Sequence, residues 1–80
     1  MNDLDLFRAT GEALLGPLWQ SELARQLNNV SLRTMQRWAA GEFAIPPGVW
    51  VDLLKLLANR QNELAKLRPL LQKQVASTSD

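Results

Sequence analysis

Residues 20–41 read QSELARQLNNVSLRTMQRWAAG, and the fold turns on how this stretch is divided. Leu23, Ala24 and Leu27 fall on one side of a helix over residues 20–27, with Ser21, Glu22, Arg25 and Gln26 on the wet side. Asn28-Asn29 follows, and asparagine tolerates the left-handed backbone that ends a helix and turns a chain. Ser31 is a good N-cap for a second helix over residues 32–40, and Gly41 is a natural stop. Met35 and Trp38 turn inward on that helix, with Leu32 or Thr34 beside them. Arg33, Gln36, Arg37 and Ala40 then share the opposite face.

This is the pattern of a helix-turn-helix over residues 20–38. Such a motif needs a small residue where its helices cross, a short turn, and a second helix with one apolar and one polar ridge. Ala24 is the small residue, residues 28–30 form the turn with Val30 in the corner, and Met35 and Trp38 make the apolar ridge. The polar ridge suits DNA. Arginine donates two hydrogen bonds to guanine, and glutamine pairs with adenine, in the major groove. Ser31 and Thr34 stand where the backbone amides of a helix N-terminus favour phosphate.

Moving outward, residues 3–15 predict a first helix capped by Asn2 or Asp3 and ended by Gly16-Pro17. Its expected apolar stripe is Leu6, Ala9/Thr10, Ala13 and Leu14, and Gly11 leaves room for another helix to pack closely. Trp19 either packs on this helix or lies at the edge of the DNA site. Beyond the loop at residues 42–45, Pro46-Pro47 starts a fourth helix with Trp50, Leu53, Leu54 and Leu57 as its core stripe. The polar run 59–63 either continues that helix or interrupts it. Pro69 disfavours helix at Arg68 and starts a short fifth helix over residues 70–75. Residues 76–80 are small and polar and read as a disordered tail behind one domain over residues 1–75. No strand-like alternation is present, so the fold class is all-α, with four to five helices.

The Gln20–Leu27 and Ser31–Gly41 segments together resemble the Cro/lambda-repressor-like helix-turn-helix family. The resemblance rests on the opening glutamine, the alanine four residues later, the apolar closing residue of the first helix and the aromatic late in the second. Ile45-Pro46-Pro47-Gly48-Val49-Trp50 is similar to a segment of small bacterial and phage members, and the likeness covers residues 7–57. It implies a compact lambda-repressor-like domain that binds double-stranded DNA, with Gln20 on the DNA backbone and Leu32, Arg33, Gln36 and Arg37 toward the bases. Two features depart from the family. Asparagine stands where its turn usually has glycine, and the turn is one residue longer than the commonest form.

Composition bounds the alternatives. The chain has 80 residues, 46% of them hydrophobic, enough for one modest core. It has no cysteine, histidine or tyrosine, so the usual neutral-pH general base and the commonest metal ligands are missing. No enzymatic activity, cofactor or metal is expected. Net charge is +1, modest for a DNA binder, although Arg25, Arg33 and Arg37 cluster with only Glu22 opposing them there. Arg25 either touches phosphate or pairs with Glu22. Lys55, Arg60, Lys66, Arg68 and Lys73 read as solubilising charges.

The opening MNDLDLF is not a secretory signal, and the apolar run at residues 49–58 is too short to span a membrane, so a cytoplasmic, nucleoid-associated location is expected. Leu57, Leu64, Leu67 and Leu71 recur at heptad-like spacing, either as a compact homodimer seam or packed onto the first helix; Arg60 at one seam position and Pro69 in the run argue against a long coiled coil. The expectation is thus a DNA-binding regulator whose site comprises Gln20, Ser31, Leu32, Arg33, Thr34, Gln36 and Arg37. The rival is a protein-interaction module that has kept the fold and lost DNA binding.

Overall fold

The computed structural model describes residues 1–27 and 30–78. Among them the chain is all-helical, with α1 at Asp3–Leu15, α2 at Trp19–Gln26, α3 at Leu32–Ala39 and α4 at Pro47–Thr78. The turn proposed at Asn28-Asn29 lies outside the described residues. Val30, on its far side, packs against the core as expected of a corner residue.

The caps follow local chemistry. Asn2 Oδ1 accepts from the Asp5 N–H at 2.8 Å and starts α1. Ser31 Oγ accepts from the Thr34 N–H at 3.1 Å and starts α3. At the end of α3, the Glu42 N–H donates to the Arg37 carbonyl (2.9 Å) and the Gly41 N–H to that of Trp38 (3.1 Å). This Schellman arrangement needs a residue at positive φ, and Gly41 supplies it at φ 79.

Phe7 organises the core. It is fully buried, and its ring meets Trp19 of α2, Trp38 of α3 and Trp50 of α4 edge-on at 5.3, 6.5 and 6.1 Å. One α1 side chain therefore touches the tryptophan of every other helix, in the geometry that aromatic quadrupoles prefer. Leu23 and Met35 are the other fully buried large side chains, and Ala24 and Ala39 fill the narrow places. Gly11 permits this packing. A Cβ there would lie 2.2 Å from the Trp19 ring, so α1 meets Trp19 only because the side chain is absent.

The expected α1 stripe is therefore corrected. Leu14 is buried as expected, but with Phe7 and Gly11, while Leu6, Ala9 and Ala13 face solvent and Thr10 is half-buried. Any stripe of apolar residues at helical spacing would have served locally; the three tryptophans select the face that carries Phe7.

Two long-range arginine contacts fix the helices to one another. Arg8 Nε donates to the Ala39 carbonyl at the end of α3 (2.8 Å). Arg60 Nη2 donates to the Leu14 carbonyl at the end of α1 (2.7 Å), and α1 has no basic residue of its own in its last turn. Each places a cation on unpaired carbonyls at the negative end of a helix dipole. Arg60 is therefore a structural clamp as well as a surface charge.

α4 differs most from expectation. It runs unbroken through residues 59–63 and through Pro69 to Thr78, so the separate fifth helix is absent and residues 76–78 are helical. Ser79 and Asp80, the rest of the expected tail, lie outside the described residues. Proline removes one hydrogen bond, to the carbonyl four residues earlier. That residue is Ala65, which is exposed like Pro69 itself, so water can satisfy the freed group. The α4 core stripe is Val49 and Leu53 with Trp50 and Leu56 at its margins. Leu54 and Leu57, expected inside, are 67% and 39% exposed. From Leu57 onward every described residue is exposed, and a helix of this length, about 48 Å at 1.5 Å per residue, gives the molecule its long 56 Å axis. No helix among the described residues is long and apolar enough to cross a membrane.

Candidate nucleic-acid interface

α3 has two distinct sides. Met35, Trp38 and Ala39 are buried against α1 and α2. Arg33, Gln36 and Ala40 are exposed on the opposite side, and Leu32, one of the two residues expected beside Met35 and Trp38, is 44% exposed at the start of the helix. The inward anchors hold the helix so that its outer ridge stands clear of the body, which is what insertion into a groove requires.

Gln20 comes from the first turn of α2 and is half-buried beside this ridge. With Leu32 and Gln36 it lines a shallow depression whose other wall is Pro17, Leu18 and Ser21. A second depression joins Gln20 and Gln36 to Arg8, Glu12 and Trp19. The two glutamines, apart in sequence, thus form one polar strip along the α2/α3 junction. Pro17, Leu18 and Ser21 were not anticipated as neighbours of this strip, because the close approach of the α1–α2 corner to α3 has no local signature.

Ser31 and Thr34 are brought together at the α3 N-terminus. Besides capping α3, the Ser31 hydroxyl donates to Thr34 Oγ1 at 3.0 Å. The pair fixes the first turn of α3, and both oxygens remain close to the exposed end of the helix.

The arginines divide into two kinds. Arg33 projects from the exposed face. Arg37 folds back along the helix end, with its guanidinium 5.1 Å from the centre of the Phe43 ring and its Nε 4.0 Å from Glu42 Oε2. Arg37 therefore shares the backbone face of Arg33 and Gln36, but its charge is directed to the loop after α3. Sequence periodicity places a side chain's Cβ on a face and says nothing about partners five and six residues further on, so Glu42 and Phe43 were missed. Arg25 forms an exposed ion pair with Glu22, one turn away on α2. With Arg8 and Glu12 beside Gln20 and Gln36, four arginines near this surface stand among three glutamates, and the local positive excess is smaller than the arginine count suggests. Exposed pairs of this kind are worth little and exchange readily for stronger acceptors such as phosphate.

Trp19, with two possible places in the sequence reading, is 4% exposed and belongs to the core. No group of three or more His, Cys, Asp or Glu able to hold a metal ion occurs among the described residues. No family model, curated protein or solved structure matches this chain.

Proposed function

We propose that this chain binds double-stranded DNA sequence-specifically, as a small bacterial or phage transcriptional regulator of the Cro/lambda-repressor-like kind. α2 and α3 act as the helix-turn-helix, and α3 enters the major groove. Arg33 and Gln36 read base edges, the first as a bidentate donor to guanine and the second as a partner for adenine. Leu32 offers an apolar contact to a thymine methyl group. Gln20, Ser31 and Thr34 hold phosphates and set the register of α3. Arg37 lies at the rim, where its guanidinium can leave Glu42 for a phosphate. The observation that carries this reading is the division of α3, anchored inward by Met35, Trp38 and Ala39 with Leu32, Arg33 and Gln36 presented outward beside Gln20.

A second reading has its own support. Glu22 and Glu42 each sit against an arginine near the proposed interface, and the far half of α4 bears exposed leucines. Both suit a module that binds other proteins. Selection from randomised duplexes at two salt concentrations separates the readings. DNA binding predicts enrichment of a short motif, lost in Arg33→Ala/Gln36→Ala, and retention that falls steeply as salt rises. Absence of enrichment, with no salt-dependent retention of any duplex, would reject DNA binding and leave the interaction module.

A further inference from the structure

We propose that α4 pairs with α4 of a second copy, parallel and in register, through the leucine face of its projecting half. This does not rest on DNA binding and would stand if that reading failed.

The first observation is continuity. Leu53, Leu64 and Val75 are spaced by 11 residues, three helical turns, and so lie on one side of α4. At Leu53 that side is buried against the body, at 3% exposure. Arg60 marks the boundary, on the same side and bound to the end of α1. Beyond it the side is bare: Leu64, Leu67, Leu71 and Val75 are 50–65% exposed. The face that builds the core thus continues past the point where any described residue covers it. A projecting helix of this length is marginal in water unless an amphipathic face is packed, and the apolar stripe that resumes beyond Arg60 has the character of an interaction surface.

The second observation selects the occupant. With Leu64 and Leu71 at the a positions of a heptad and Leu67 at d, Glu63 falls at g and Arg68 at the following e. In a parallel pair, a g residue faces the e residue five positions on in the other helix. Glu63 of each copy then meets Arg68 of the other, and two-fold symmetry makes the bridge twice. An antiparallel pair sets g against g and e against e, so Glu63 and Arg68 do not meet. Pro69 falls at f, on the outside, where its ring does not obstruct the seam. Arg60 and Gln74 occupy the flanking d positions and confine the seam to residues 64–71, and within it the charge pattern is one that a second copy satisfies. Parallel pairing also puts both bodies at one end, so that two α3 helices are presented side by side.

The test uses the full chain. Sedimentation equilibrium over a wide concentration range should show a monomer–dimer equilibrium for the wild type and only monomer for Leu64→Lys/Leu71→Lys. The tryptophan fluorescence of the body should not change, because the stripe lies outside the core. Glu63→Arg and Arg68→Glu should each weaken the dimer several-fold, and the two together should restore it. The sequence has no cysteine, so Leu64→Cys and Leu71→Cys should each oxidise to a covalent dimer. A wild type that stays monomeric would overturn the proposal, even if it bound vesicles or another protein through this face. Cross-linking at only one of the two positions would overturn the parallel register.

Discussion

The two halves of α4 carry the same apolar stripe and differ in what lies beside it. At Val49 and Leu53 the stripe meets Phe7 and the core; at Leu64 and Leu71 it meets solvent. Burial is thus a property of the neighbours as much as of the residue. The described residues cover only the first part of this 32-residue helix.

Substitutions along the chain probe that difference, and their effects fall in order with distance from the core. Phe7→Ala removes the ring that joins all four helices and should cost about 3–5 kcal/mol of unfolding free energy, read from denaturant titration of the tryptophan fluorescence. Leu53→Ala should cost about 2–4 kcal/mol in the same assay. Gly11→Ala is a sharper probe. In an exposed helix alanine would stabilise by about 1 kcal/mol, but here its Cβ would strike Trp19. A net loss of about 1–3 kcal/mol is expected from overpacking, and stabilisation would show that α1 and α2 are not so closely packed. Arg60→Ala, which uncaps α1 at the boundary between the halves, should cost about 1 kcal/mol. Leu64→Ala, measured at a dilution where the chain is monomeric, should change stability by less than about 0.5 kcal/mol. Equal costs for Leu53→Ala and Leu64→Ala under those conditions would erase the distinction between the halves.

Sequence reading reached far into the body and less far into α4. α1, α3 and their caps were legible because Asn2, Ser31 and Gly41 act on backbone groups within a few residues. The inward set of Leu23, Ala24, Leu27, Met35 and Trp38 followed from helical spacing. The face of α1 was misjudged because Leu6 and Phe7 both fit a helical stripe, and only the tertiary position of the tryptophans decides between them. The polar run 59–63 continues the helix, the first of its two readings, and the break expected at Pro69 did not occur. A single missing hydrogen bond on an exposed face is tolerated in a long helix, and local propensity could not show that Pro69 would lie on that face. In the candidate site, the exposure of Arg33 and Gln36 was legible from periodicity. The common position of Gln20 and Gln36 along two depressions depends on the packing of α2 on α3. The diversion of Arg37 to Phe43 and Glu42 depends on a loop whose path no periodic pattern describes.

The most direct test of the central claim compares Arg33→Ala, Gln36→Ala and Arg37→Ala on a duplex selected by the wild type, against single-base variants of that duplex. Arg33→Ala and Gln36→Ala should each lose about 1–3 kcal/mol of binding and relax discrimination at one base position. Arg37→Ala should weaken all duplexes alike and reduce the salt slope by about one. If Arg33→Ala and Gln36→Ala bind and discriminate as the wild type does, the outer face of α3 does not read DNA.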